Sequence, residues 1–285
     1  MDTPAPVINA SVINASEHAW TLHDPRFRID PARSSCPGSM PDHEQTGEDL
    51  IARMREYDVD RTVISHVCYY GRNNDYPAHC VQTWPDRFAA IGLLVGHRLF
   101  PPEDSVANAR RLRELVVDRG LAGLRLSPIY DRDRRWLDDP ACDPLWEMAA
   151  QLGATFNIFL APEQIDQVAA MAERHPGVQV VIDHFAMIDI DRPDTEGIDP
   201  LCGLARLPNV HMRTSLHNPS KERRPPFCDM WPYLRRAYDA YGPQRLLWGN
   251  FYEFLLMAEI IDFFSVDDRR WILGGNAERL YFGRK

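Results

Sequence analysis

The chain has 285 residues, of which 45% are hydrophobic and 26% charged, enough for one large packed domain and close to the roughly 250 residues, plus insertions, of an α/β barrel. A net charge of −9 at pH 7, with lysines and arginines scattered, argues against nucleic acid and against an anionic membrane surface as partners. The six cysteines (Cys36, Cys68, Cys80, Cys142, Cys202, Cys228) show neither Cys-x-x-Cys spacing nor scaffold density, the N-terminus has no basic stretch leading into an apolar one, and no apolar run is long enough to span a bilayer; a cytoplasmic protein with reduced thiols is expected.

Val12 to Trp20 reads as a first strand that finishes in polar residues, followed by a Pro-, Ser- and Gly-rich irregular loop from Asp30 to Gly47. Thr46 to Tyr57 has helical spacing, with Leu50, Ile51 and Met54 on one side, and Arg61 to His66 is a short strand. The loop Tyr69 to Tyr76 leads into a helix. Phe88 to Val95, Leu121 to Leu126, Thr155 to Leu160 and Val178 to Ile182 supply strands three to six, with helices around Ser105 to Arg119, Pro144 to Leu152 and Pro162 to His175 between the last four elements. Leu207 to Ser215 is the seventh strand and Arg245 to Gly249 the eighth, with helices over Met230 to Tyr241, Phe254 to Phe264 and Asn276 to Phe282. Short apolar strands alternating with helices predict parallel βαβ units, and the count favours a closed (β/α)8 TIM barrel, an α/β fold in one domain, over an open sheet. The barrel would run from about residue 12 to 282, with the insertion at about 30–47. No Gly-x-Gly-x-x-Gly or Walker-type loop follows any strand, which weighs against nucleotide binding.

Parallel barrels carry their chemistry at the C-terminal ends of the strands. In this chain those ends collect Ser16, Glu17, His18 and Trp20 from strand one, His66 from strand two, Arg125 from strand four and His184 from strand six. Strand seven adds Arg213 and His217, and the turn after strand eight adds Asn250, Tyr252 and Glu253. Imidazoles, arginines and carboxylates converging on one pocket suit acid/base chemistry on a small anion. Arg125 is the better carboxylate clamp because its planar fork can pair in a bidentate way; a structural salt bridge across the barrel is its plainer alternative. For Arg213 a core ion pair is as good a reading.

The whole chain, from about Val12 to Phe282, resembles the amidohydrolase-related ("amidohydrolase 2") family of the metal-dependent hydrolase superfamily. The resemblance rests on Asp60-Arg-Thr-Val-Ile, Tyr70-Gly-Arg-Asn-Asn-Asp-Tyr76, Gly123-Leu-Arg125-Leu and Arg174-His-Pro-Gly-Val-Gln-Val-Val-Ile-Asp-His184. It continues through Pro208-Asn-Val-His-Met-Arg-Thr-Ser215, Tyr241-Gly-Pro-Gln-Arg-Leu-Leu-Trp-Gly249 and Gly275-Asn-Ala-Glu-Arg-Leu280. It implies the same barrel, and lactone hydrolysis, decarboxylation or hydration of small carboxylic acids, in some members with a zinc-like ion. The family's strand-one Asp-x-His-x-His is replaced by Asn14-Ala-Ser16-Glu-His18, its strand-five histidine falls on Phe159, and its strand-eight aspartate, a metal ligand and general base, falls on Phe251. Only His18 and His184 remain of the implied ligand set, and two imidazoles without a carboxylate make a weak zinc site.

The expectation is therefore a metal-independent hydrolase or lyase acting by acid/base chemistry on a small carboxylate- or lactone-bearing substrate, by hydrolysis, decarboxylation, elimination or cyclisation. His18 and His184 are the acid/base candidates. Glu17, Glu253 and Tyr252 are candidates to replace the missing base or donate a proton, while Arg125, His66, Trp20, Arg213, Asn250, Phe251 and Phe159 line the substrate pocket. No cofactor is expected; the alternative is one divalent ion such as zinc on His18, His184 and Glu17 or Glu253. The remaining alternative is an inactive barrel that binds a ligand or a partner subunit. Aromatic residues near Phe251 to Phe264, read as exposed, and the Asp30 to Gly47 loop could form a homodimer interface.

Overall fold

A computed structural model describes residues 11–29, 41–94 and 105–283. Eight strands form one parallel sheet in sequential order: β1 Ile13–Glu17, β2 Arg61–Ser65, β3 Phe88–Gly92, β4 Gly123–Leu126, β5 Thr155–Ile158, β6 Gln179–Ile182, β7 Val210–Arg213 and β8 Leu246–Leu247. The Ala15 amide donates to the Trp248 carbonyl at 3.2 Å, which brings the end of β8 against β1 and nearly closes the sheet into the expected (β/α)8 barrel. Around it run α1 Gly47–Glu56, α2 Asp75–Thr83, α3 Ser105–Arg113, α4 Asp143–Leu152, α5 Ile165–Arg174, α6 Asp199–Gly203, α7 Trp231–Tyr241 and α8 Val266–Arg270.

The strands are apolar on both faces because both faces are covered. Ile64, Ala90, Leu124, Phe156, Val180, Met212 and Leu246 join the outer shell beneath the helices. Ile13, Ala15, Val63, Ala89, Ile91, Val181 and Leu247 fill the interior together with Ala277, Leu280 and Tyr281 of the last helical segment. That segment seals the N-terminal end of the barrel: Thr155 Oγ1 donates to the Leu280 carbonyl and the Tyr281 hydroxyl to Asn157 Oδ1, each at 2.9 Å. The C-terminal end is left as the mouth.

Several expectations need correction. The strands are shorter than their apolar runs. Of the Asp30 to Gly47 loop, residues 30–40 lie outside the described residues, and Gly47 opens α1, capped by a reciprocal Thr46/Asp49 box. The thiols are not all reduced: Cys68 is disulfide-bonded, whereas Cys80, Cys142, Cys202 and Cys228 are free. Pairing depends on approach in space, which spacing along the chain does not give. Phe251 and Phe264 are buried; the exposed apolar side chains of that region are Leu255 and Ile260, with Tyr252. Among the described residues no helix is long and apolar enough to cross a membrane.

Candidate active site

Strand register sets the heights of the groups at the mouth. Ile182 pairs with Met212 across β6 and β7, so the next residues, Asp183 and Arg213, stand side by side facing inward. In β1 the register with β2 shifts between Asn14 and Glu17, so that Glu17 rather than Ser16 pairs with Ile64. One extra residue inverts the inward/outward alternation. Ser16 and His18 consequently turn to the inside, Ser16 Oγ lying 3.2 Å from Ser65 Oγ and His18 Nδ1 2.8 Å from the Ser65 carbonyl. Glu17 turns away, towards α1: its Oε1 accepts from the Phe251 amide at 3.2 Å and from Asn14 Nδ2 at 3.4 Å. Burial raises the Glu17 carboxyl pKa, with the nearby Arg53 opposing.

The charged centre is Asp183, fully buried between two arginines. Arg213 Nη2 pairs with Asp183 Oδ1, and Arg213 Nη1 donates to the Ala15 carbonyl at 3.1 Å. Arg125 Nε lies 3.9 Å from Asp183 Oδ2, and its guanidinium sits over the Phe159 ring, 5.3 Å from the centroid. Among the described residues the Arg125 guanidinium makes no hydrogen bond, and its Nε is buried without an acceptor. Two guanidiniums against one carboxylate leave an excess positive charge in a nearly dry site, where an anion is strongly attracted.

Two imidazoles stand in that field. His18 donates through Nδ1 to the Ser65 carbonyl, which leaves Nε2 as an acceptor with no hydrogen bond among the described residues. Burial, then the positive charge of Arg125, lowers its pKa to about 4, so the ring is neutral near pH 7. His184 Nδ1 faces Asn218 Nδ2 at 2.9 Å, and its ring meets Phe159 edge-on with centroids 5.3 Å apart. Burial, then Arg213 and Arg125, holds its pKa well below the ordinary 6.5. Asn218 Nδ2 also faces His217 Nε2 at 2.7 Å, and His217 Nδ1 lies 2.7 Å from Glu253 Oε1. His184 opens a run of four non-glycine residues with φ of 51–52°, through Phe185, Ala186 and Met187. A left-handed turn of this kind costs roughly 1–2 kcal/mol per residue and persists only where its surroundings over-determine it.

A family profile described as Amidohydrolase matches residues 18–283. The chain belongs to the amidohydrolase family. Over 211 residues, 68% of this chain and 72% of the relative, it is 28% identical to an L-fucono-1,5-lactonase of Burkholderia ambifaria. A structure described as a probable 2-pyrone-4,6-dicarboxylic acid hydrolase of Acinetobacter baumannii, with citric acid bound, superposes with a TM-score of 0.70 at 16% identity, covering 95% of this chain and 98% of the other. A manganese-bound 5-carboxyvanillate decarboxylase of Novosphingobium aromaticivorans superposes with a TM-score of 0.66 at 15% identity, covering 96% and 97%. At such identities the two structures speak for the fold.

In this amidohydrolase the mouth assembles part of the predicted set. His18, His184, Arg125 and Phe159 converge there. Arg213 lies there too, but as the buried partner of Asp183. His66 is turned outward, its Nδ1 2.5 Å from the Val67 carbonyl and its Nε2 2.7 Å from that of Asn73, and so has no nitrogen left for a substrate. Phe251 packs on Tyr57, just past α1, and under Arg53 of α1. Trp20 donates to the His43 carbonyl at 2.7 Å and meets the Tyr69 ring edge-on. Asn250, with φ 76°, gives its amide to Asn14 Oδ1 at 3.1 Å. Tyr252 is 43% exposed and leans on the His217 ring; burial of its hydroxyl, helped by Glu253, raises its pKa, so it stays protonated. Glu253 is buried beneath His217 rather than at the mouth.

Sequence reasoning missed Asp183, Asn218 and the Ser65 carbonyl as site groups. Asp183 had a signal, as an acid ending an apolar strand beside a histidine; Asn218 had none. The donor set does not fit the divalent ion that the resemblance implies. Among the described residues no group of three or more His, Cys, Asp or Glu side chains converges as ion ligands. Two of the family's ligand positions are phenylalanines, and the Arg213 and Arg125 guanidiniums stand where a cation would be repelled.

Proposed function

We propose that this amidohydrolase opens a small lactone bearing a carboxylate, by acid/base chemistry that needs no metal ion. The observation that carries this reading is the Arg125 guanidinium, which makes no hydrogen bond among the described residues and only a long contact to Asp183, beside two neutral imidazoles. Arg125 takes the substrate carboxylate through its free fork. His18, neutral and with Nε2 unoccupied, accepts a proton from water as it attacks the acyl carbon. With the substrate carboxylate on Arg125 the cluster is neutral, so the developing oxyanion is met by the N–H of the neutral His184, and the acyl–oxygen bond breaks as the ring oxygen takes the proton held by His18, returning His18 to its neutral form. The 28% identical lactonase supports the lactone as substrate class.

The test is a panel of carboxylated and neutral lactones, set beside aromatic and aliphatic carboxylic acids, assayed with protein dialysed against a chelator. Acid release from carboxylated lactones, lost by about 10²-fold or more in both His18→Gln and His184→Gln, is the expected result. Carbon dioxide release from the free acids would replace hydrolysis by decarboxylation. Activity that vanishes on dialysis and returns with zinc or manganese would overturn the metal-free reading.

A further inference from the structure

Three residues behind His184 form a line of hydrogen bonds that none of the family motifs marks. Glu253 Oε1 accepts the His217 backbone amide at 3.0 Å and faces His217 Nδ1 at 2.7 Å. The Asn218 amide nitrogen then lies between His217 Nε2 at 2.7 Å and His184 Nδ1 at 2.9 Å. We propose that Glu253, His217 and Asn218 are positioning residues that fix the tautomer of His184, so that its Nε2 carries the proton and donates to the substrate. This rests on the reading that His184 partners His18 in acid/base chemistry.

The direction of the line is set at its buried end. A carboxylate can only accept, so the His217 proton sits on Nδ1 and its Nε2 is bare. The two hydrogens of the Asn218 nitrogen are then matched by two bare ring nitrogens, and His184 is left with its proton on Nε2. His18 is locked the opposite way, because the Ser65 carbonyl claims its Nδ1 proton. The mouth therefore offers one imidazole as acceptor and the other as donor. The reversed line would need Asn218 turned so that Oδ1 faces both rings, with His217 doubly protonated and the His184 proton on Nδ1. The left-handed run that begins at His184 agrees with a ring held by its surroundings rather than by backbone preference.

The experiment is tautomer-resolved nitrogen NMR of protein labelled with 15N-histidine, near neutral pH and without substrate, with His18→Gln, His184→Gln and His217→Gln giving the assignments. The expected spectrum has the proton on Nε2 in His184 and on Nδ1 in His18 and His217. Asn218→Asp supplies only acceptors and should move the His184 proton to Nδ1, with kcat on a carboxylated lactone falling by about 10²-fold or more while KM changes little. Glu253→Gln, which keeps an acceptor for His217, should preserve the His184 tautomer, and Glu253→Leu should not. A wild-type His184 protonated on Nδ1, or a doubly protonated His217, would overturn the relay even if no variant folds. An unmoved His184 tautomer in Asn218→Asp would overturn it whatever happens to turnover. A moved tautomer with unchanged turnover would leave the relay standing and sink the acid/base role of His184 instead.

Discussion

Asp183 shows how closely stability and function are bound at the residue scale. Its carboxylate is fully buried and neutralises one of two guanidiniums. Breaking such a cluster from one side leaves unpaired charge in a low dielectric, which costs about 3–5 kcal/mol. Asp183→Asn should lower stability by that order in urea unfolding; a loss below about 1 kcal/mol would mean that water reaches the arginines. Arg125 differs, because it is held by a long contact to Asp183 and by the Phe159 ring. Arg125→Ala leaves the Asp183–Arg213 pair intact. It should raise KM for carboxylated lactones about 10- to 100-fold, the worth of a charge-assisted hydrogen bond, and leave neutral lactones almost unaffected. An equal effect on both substrate types would remove Arg125 from the role of anion clamp.

At the scale of the element, the bulge in β1 decides which carboxylate and which imidazole enter the mouth. Strict alternation from the inward Ile13 and Ala15 would have pointed Glu17 inside and His18 out. The shifted register does the reverse. The same strand is held at its start by the segment Trp271–Gly275, where Gly274 lies so close to the Ser11 carbonyl that a Cβ would overlap it. Gly274→Ala should push this segment off β1 and destabilise the protein by about 1–3 kcal/mol, as overpacking does. Thermal melting with Gly203→Ala as a comparison, where an added Cβ would meet nothing within 4 Å, would show it, and an unchanged melting temperature would argue that the segment shifts freely.

The whole molecule carries its buried imidazoles into its response to pH. Burial lowers His18 to about 4 and His211 to about 3, from an ordinary 6.5, and lowers His184 as well. A depressed histidine binds its proton in the unfolded chain before the folded one, so its contribution to stability is full above about 6.5 and is lost as pH falls towards the folded value. Glu17, raised by burial, opposes this, but as one group against three. The urea midpoint should thus be flat between about pH 7 and 8 and fall steadily below about pH 6.5, and His211→Asn, far from the mouth, should flatten that slope. A midpoint that rises on acidification over this range would contradict the neutral state of these rings. Turnover should meanwhile persist on the acid side to about pH 4–5, because kcat/KM follows the free-enzyme base.

The barrel was legible in the sequence because eight apolar segments spaced by helical ones leave few other ways to bury both faces of every strand. His18, Arg125, Phe159 and His184 were legible for the same reason, as polar or aromatic residues at the ends of those segments. What the sequence could not decide was orientation. His66 and Phe251 sit at strand ends yet turn outward, Glu17 is displaced by a single-residue register shift, and Glu253 lies beneath His217 instead of at the mouth. The Asn218 link between two imidazoles, and the pairing of Asp183 with Arg213, arise from residues brought together across strands. Periodicity tells which residues share a face, but one bulge or one left-handed turn changes that face, and only the packed barrel fixes where such turns fall.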